Sequence, residues 1–270
     1  MKLSIITINY NNCQGLQKTI ESVISQTWKD FEWIVIDGGS TDGSKELIEQ
    51  YKQHISYWCS EPDNGIFHAM NKGVAKASGE YVNFMNSGDA FYDEYVLQRI
   101  NDMHSDADVI SGRAVRSDNL QPLYHYYSSL FRQLYQLTIN HQGAFIKRVL
   151  LNKYPYDENF RIVSDWKFWL QTIIWGEAKV DVVPLLVVKY DMAGISAEMS
   201  PQHISEREMV RNEFFPPLLR KELEDYYKIK KSPYVKYGEF LYNNNHFLFA
   251  MGWRILKLFV TIHKKISNIV

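Results

Sequence analysis

Residues 1–90 alternate between short apolar runs and stretches whose apolar residues recur every three or four positions. The first run, Leu3–Ile8, reads as a strand, and a polar loop, Asn9–Asn12, follows it. Leu16, Ile20, Val23 and Ile24 then fall on one face of a helix. Glu32–Asp37 is a second strand, closed by the turn Gly38–Gly43. The next helix buries Leu47, Ile48 and Tyr51. A weaker strand at Ser56–Cys59, a loop at Glu61–Gly65, a helix over Ile66–Ala77 and a strand at Tyr81–Met85 complete this half. Strands separated by helices in this order predict βαβ units and a mostly parallel sheet.

The second half is less regular. Asp108–Val115 and Leu120–Tyr126 read as strands, Ser128–Leu137 as a helix, and Lys179–Tyr190 as a long strand. Asp165–Trp175 reads as a helix with Phe168, Trp169, Ile173 and Trp175 turned inward. From Pro201 the pattern becomes helical. In open α/β sheets, ligands sit beyond the carboxyl ends of the strands. The polar clusters Asn9–Asn12, Asp37–Asp42 and Asn86–Asp89 each follow a predicted strand, so they converge on one edge.

Charge sharpens this division. The 270 residues carry a formal net charge of −1. Residues 200–270 hold 12 Lys/Arg against 7 Asp/Glu, leaving 18 against 24 in residues 1–199. An acidic body thus precedes a basic tail. The chain opens directly into its first strand, without the pattern of a secretory leader, and Cys13 and Cys59 are its two cysteines. The expectation is an intracellular protein with no disulfide framework or zinc cluster. No run is long and apolar enough to predict a membrane span.

Several chemistries are excluded by what the strand ends lack. There is no G-x-G-x-x-G after the first strand and no P-loop, and H-E-x-x-H and G-x-S-x-G are also absent. What remains is a set of strand-end acids. Asp37 suits the N–H edge of a pyrimidine base. Asp89, after Gly88, suits a hard divalent cation holding a diphosphate. Asp165, at the start of a helix, suits a general base for a hydroxyl nucleophile. Each has a plainer alternative as a turn former, loop acid or helix cap, and for Asp42 the cap is the better reading.

Four segments in this order carry a resemblance. They are Leu3–Asn11, Ser25–Gly43, Glu61–Gly73 and Gly79–Asp89, continued thinly by His141-Gln142, Tyr156–Glu158 and Ser164–Trp166. The chain resembles family 2 glycosyltransferases of the GT-A fold, in the variant similar to bacterial exopolysaccharide, O-antigen and colanic acid transferases. The implied fold is a Rossmann-like, mostly parallel sheet flanked by helices, with a helical C-terminal extension. The implied organisation is a catalytic domain over 1–195 (nucleotide-sugar half 1–90, acceptor half 91–195) and a basic extension over 196–270.

The resemblance also implies roles. Thr7 and Tyr10 line the pyrimidine pocket with Asp37, whose usual acidic neighbour is Gly38 here. Asn71 stands in an element that usually reads Arg-Asn, with Met70 at the arginine position. Asn86-Ser87-Gly88-Asp89 replaces the usual Asp-x-Asp-Asp, so Asn86 faces the nucleotide sugar and Asp89 is left as the ligand of Mn²⁺ or Mg²⁺. Asp165 matches the base of an inverting transfer. His141, Gln142 and Trp166 are candidates for acceptor or diphosphate contact, each with a structural alternative. The implied partners are a nucleotide-sugar donor, most simply UDP-linked, and a glycan or polyprenyl-diphosphate-linked acceptor; no nucleic acid is implied.

Along 247–270, Arg254, Lys257, Thr261, Lys264, Lys265 and Asn268 form a polar stripe on an otherwise apolar helix. That pattern fits a membrane interface with anionic headgroups, or packing on the domain or another subunit. The former implies a peripheral protein on the inner face of the cytoplasmic membrane. Two other functions fit less well. A sugar-phosphate nucleotidyltransferase needs a Gly-rich basic loop after the first strand, which Asn9–Cys13 lacks. A non-catalytic nucleotide-sugar or glycan binder is compatible with the thinned metal motif.

Overall fold

The computed structural model describes residues 2–123, 129–194 and 199–233, together with 236, 240, 242, 243, 246, 248, 250–254 and 257. The strands are β1 (Leu3–Asn9), β2 (Phe31–Asp37), β3 (Tyr57–Ser60), β4 (Tyr81–Phe84), β5 (Ala90–Phe91), β6 (Val109–Arg116), β7 (Ala144–Lys147) and β8 (Val180–Tyr190). The helices are α1 (Cys13–Ile24), α2 (Ser44–Tyr51), α3 (Ile66–Lys76), α4 (Val96–Asp102), α5 (Leu130–Gln136), α6 (Arg148–Lys153), α7 (Ser164–Trp169), α8 (Pro201–Phe214) and α9 (Pro217–Lys231).

One sheet joins the strands in the order β3-β2-β1-β4-β7-β6-β8-β5. β1 pairs in parallel with β2 and β4, and β2 with β3. β7 runs antiparallel to both β4 and β6, while β6 and β8 are parallel. Hence β1, β2, β3, β4, β6 and β8 point one way, and β5 and β7 are reversed. The carboxyl ends of six strands and the start of β7 therefore share an edge.

β1 is buried throughout, as a central strand must be when helices cover both faces. Leu3 and Ile5 join Leu16, Ile20 and Val23 of α1 and Leu47 and Ile48 of α2 in the core. α3 covers the opposite face, and a Cβ on Gly73 would come within 2.5 Å of Ile6 Cγ2. The helix backbone thus rests directly on the strand.

The second half departs from the expected elements in several places. Leu120–Tyr126 is not a strand over its described residues; Pro122 makes an isolated bridge to Val115, and Tyr124, His125 and Tyr126 lie outside them. The expected helix Asp165–Trp175 is α7 followed by a π turn over Leu170–Ile174, and that widening leaves Trp175 exposed. α4 and α6, too short for a periodic signal, went unpredicted.

The chain divides into two units, Met1–Val210 and Arg211–Val270, so the first reaches well beyond the expected 195 and includes most of α8. In the second unit, Leu218, Tyr226 and Ile229 of α9 are exposed, as are Leu248, Met251 and Trp253. Most of the 247–270 stretch lies outside the described residues. Among the described helices, none is long and apolar enough to cross a membrane.

Candidate functional site

The shared edge begins with Asn9 and Asp37, register partners at the ends of β1 and β2. The buried Asp37 carboxylate accepts from Asn9 Nδ2 (2.7 Å), Ser40 N (2.9 Å), Ser40 Oγ (2.6 Å) and Ser60 Oγ (2.7 Å). Burial opposes its ionisation, but these hydrogen bonds outweigh it and hold the carboxyl below its ordinary value. Four donors account for the usual acceptor capacity of a carboxylate. Asp37 therefore braces the turn after β2.

Tyr10 stands beside this turn with its ring 66% exposed, free to stack on a planar ligand. Gly38 lies between that ring and Asp63. A Cβ at Gly38 would fall 2.7 Å from Asp63 Oδ2 and 3.1 Å from Tyr10 Cδ2. Asp63 Oδ1 accepts from Gly65 N (2.8 Å), which leaves Oδ2 turned toward Gly38. An acid from the loop before α3 thus occupies the space where the usual second acid would project. Sequence spacing could not reveal this, since 25 positions separate the two residues.

Two expected contacts are corrected here. Thr7 is buried beneath the edge, and its Oγ1 accepts from Trp33 Nε1 (3.0 Å), so it supports the sheet rather than lining a pocket. Asn71 exchanges hydrogen bonds with the Tyr156 backbone (2.8 and 3.0 Å) and donates to Glu158 Oε1 (2.9 Å). It ties α3 to the 156–158 loop, and its amide is not offered to a ligand.

Further along, Asp89 is buried and accepts from Asp191 N at 2.8 Å through Oδ1. The Gln142 side chain hydrogen-bonds the same carboxylate. Burial pushes this carboxyl up to about 7, against the opposing pull of its hydrogen bonds and of His141. Gly88 has a left-handed φ of +101°, and a Cβ there would lie 2.5 Å from Asp191 Oδ2. Asp191 follows β8 directly, so the rule that located the other strand-end acids applies to it equally.

The residues around Asp89 fit a hard cation. Asn86 Oδ1 and Gln142 Oε1 are buried oxygens without a hydrogen-bond partner. With Asp89 and Asp191 they make an all-oxygen donor set, the chemistry Mg²⁺ and Mn²⁺ prefer. Among the described residues, no three His, Cys, Asp or Glu side chains converge as a closed metal cluster. Such a site leaves most of the coordination shell to ligand oxygens and water.

β7 is reversed, so the His141–Gly143 turn that precedes it reaches the same edge. Asn140 caps this turn, its Oδ1 accepting from Gly143 N (2.9 Å). His141 Nε2 lies 3.3 Å from Asn86 Nδ2, and Nδ1 lies 3.2 Å from Asp165 Oδ2. An amide nitrogen donates, so Nε2 accepts, and the Nδ1 proton goes to Asp165. The His141 and Asp165 side chains each retain 14% exposure. Asp165 Oδ1 accepts from Trp166 N (2.8 Å), a bond between neighbours in the first turn of α7.

Trp166 is the third correction. It is 1% exposed, its Nε1 donates to Leu134 O (2.5 Å), and the Arg207 guanidinium sits 4.0 Å from its ring centre. No sugar can stack on that ring. The structure thus gathers Asn86, Asp89, His141, Gln142 and Asp165, sets Tyr10 and Asp37 along the same edge, and leaves Thr7, Asn71 and Trp166 in supporting roles.

Comparisons with known proteins identify the family and the fold. Glycosyl transferase family 2 matches residues 4–158. An uncharacterized glycosyltransferase of Mycobacterium tuberculosis (strain H37Rv) is 30% identical over 211 residues, covering 75% of this chain and 79% of its own. A PGL/p-HBAD biosynthesis glycosyltransferase of Mycobacterium bovis (strain BCG) is 30% identical over 173 residues, 61% of this chain and 67% of its own. Among solved structures, S. aureus TarS 1-349 in complex with UDP superposes with a TM-score of 0.59 at 20% identity, over 71% of this chain and 60% of that one. The mannosyltransferase PcManGT from Pyrobaculum calidifontis, in complex with GDP-Man and Mn²⁺, gives 0.56 at 15% identity, over 78% and 61%. The fold is that of GT-A glycosyltransferases. With well over half its length matched and these motifs on one sheet edge, the chain belongs to glycosyl transferase family 2.

Proposed function

We propose that this glycosyltransferase moves a sugar from a nucleoside diphosphate, most simply UDP, onto an acceptor hydroxyl with inversion at the anomeric carbon. The carrying observation is the hydrogen-bonded line Asn86–His141–Asp165 beside the buried Asp89 on the sheet edge. A general base, a cation-ready carboxylate and an exposed aromatic platform then serve one ligand.

In this reading the nucleobase stacks on Tyr10, and Asp63 accepts a base N–H with Asp37 holding the turn beneath. Asp89, with Asp191 and the amide oxygens of Asn86 and Gln142, would hold a divalent cation. Such a cation neutralises charge on a departing diphosphate when bound. Asp165 takes the proton from the acceptor hydroxyl. The freed oxygen attacks the anomeric carbon opposite the diphosphate, whose bond to that carbon breaks. His141 holds the Asp165 carboxylate in place by donating from Nδ1, and Asn86 fixes the imidazole tautomer.

The acceptor is a glycan or lipid-linked saccharide met at a membrane surface. The exposed Leu248, Met251 and Trp253 support this, together with five Lys/Arg against one Glu in residues 232–270. The surface proposed is the inner face of the cytoplasmic membrane. Thermal-shift measurements against UDP, GDP, CMP and dTDP, each with Mn²⁺, test the donor, because bound ligand stabilises the fold by mass action. UDP should raise Tm most. Equal silence from all four would overturn a nucleotide-sugar donor, and a larger shift with another nucleotide would reassign it.

A further inference from the structure

α8 was expected to belong to a separate extension, yet two adjacent residues on it grip the segment that carries Asp165. Glu206 is buried, and its carboxylate accepts from three consecutive backbone N–H groups: Arg161 (3.0 Å), Ile162 (2.9 Å) and Val163 (3.2 Å). Gln202 Nε2, one turn earlier on α8, also donates to it (3.0 Å). Val163 caps α7, so these bonds set the backbone immediately before Ser164 and Asp165.

Arg207 works from the other side. Its guanidinium lies over the Trp166 ring at 4.0 Å and donates through Nη2 to Gln136 O (3.3 Å) and Leu137 O (3.2 Å). Those carbonyls close α5, four and five residues before His141. Asp165 therefore sits between a residue whose backbone Glu206 holds and a residue whose ring Arg207 covers. Its own carboxylate spans to His141.

A buried carboxylate is costly unless hydrogen bonds repay its desolvation. An apolar side chain would fill the same volume without that cost, but would bind none of the three N–H groups. We infer that Glu206 and Arg207 are positioning residues for the reaction, fixing where the Asp165 carboxylate points. The inference rests on Asp165 being the base. Misplacing a reacting group by about 1 Å costs about a hundredfold in rate.

The variants E206Q and R207M test it in the full-length protein, with D165N measured alongside. Glutamine keeps the volume of Glu206 but cannot accept all its bonds; methionine keeps the stem of Arg207 without the guanidinium. After correction for folded fraction by circular dichroism, each should lower kcat at least about tenfold. KM for the donor and Kd for UDP should stay within about twofold, because Tyr10, Asp63 and Asp37 share no hydrogen bond with either residue. Unchanged kcat in both folded variants, or a loss carried by KM and UDP affinity, would overturn the positioning role. If E206Q does not fold, R207M decides by the same criterion. Full activity in D165N would instead overturn the assignment of the base, which separates the two failures.

Discussion

Asp191 Oδ2 stands 2.5 Å from the point where a Cβ on Gly88 would begin, while the Asp191 backbone N–H donates to Asp89 Oδ1 at 2.8 Å. The resemblance places an acid at position 88, this chain has glycine there, and the Asp191 carboxylate, just past the end of β8, lies beside it. Gly38 repeats the arrangement, with Asp63 supplying the side chain. In both cases a carboxylate distant in sequence lies against a glycine on the same sheet edge.

If Asp191 helps hold the cation, D191N should weaken Mn²⁺ binding by about tenfold or more in the presence of UDP, on the scale of lost ligand support. Electron paramagnetic resonance of free Mn²⁺ reads this without an activity assay. Wild-type affinity in a folded D191N protein would remove Asp191 from the site.

Asp89 gives the pH dependence. Its folded pKa is raised by burial to about 7 from an ordinary 3.8. The neutral acid is therefore the form the metal-free fold favours. Its stabilising contribution is full below about pH 4 and is lost as pH rises through about 7. Metal-free wild-type protein should lose Tm between pH 5 and pH 8 relative to D89N, and saturating Mn²⁺ should restore it. Parallel Tm curves for the two proteins would contradict the buried-acid account.

Asp63 tests the base pocket. A charged hydrogen bond contributes about 1.5–3 kcal/mol, so D63N should weaken UDP roughly ten- to a hundredfold by calorimetry. Uridine should show the same loss, since the contact is to the base. An equal affinity in D63N would return base recognition to other groups on the edge.

The membrane reading is tested by sedimentation with anionic vesicles. The full chain should pellet at low salt and be released as salt screens its basic residues. A chain ending at Lys231 should stay in the supernatant. Continued pelleting of the shortened chain would place the contact elsewhere.

The sequence showed the first half clearly because each element there matches its own period. β1, β2 and β4 are largely apolar runs; β1 and β2 end on Asn9 and Asp37, and Asp89 lies in the turn after β4. It could not show the reversal of β7, which brings His141 and Gln142 to the edge, because strand direction leaves no local pattern. Nor did it separate residues at the edge from those beneath it. Thr7, Asn71 and Trp166 lie next to the site in sequence, yet their polar groups are spent on Trp33, Tyr156 and Leu134. Glu206 escaped notice for a related reason: one of several glutamates on a polar helix reads as surface until three backbone N–H groups converge on it.

The central claim is proton removal by Asp165, and sugar transfer by D165N measures it most directly. The substitution is nearly isosteric, and an amide cannot accept the acceptor's proton. With the donor identified by the nucleotide screen, D165N should bind UDP with wild-type affinity and transfer sugar at least about a hundredfold more slowly, the range expected for loss of a general base. A folded, UDP-binding D165N protein that transfers sugar at the wild-type rate would contradict the account.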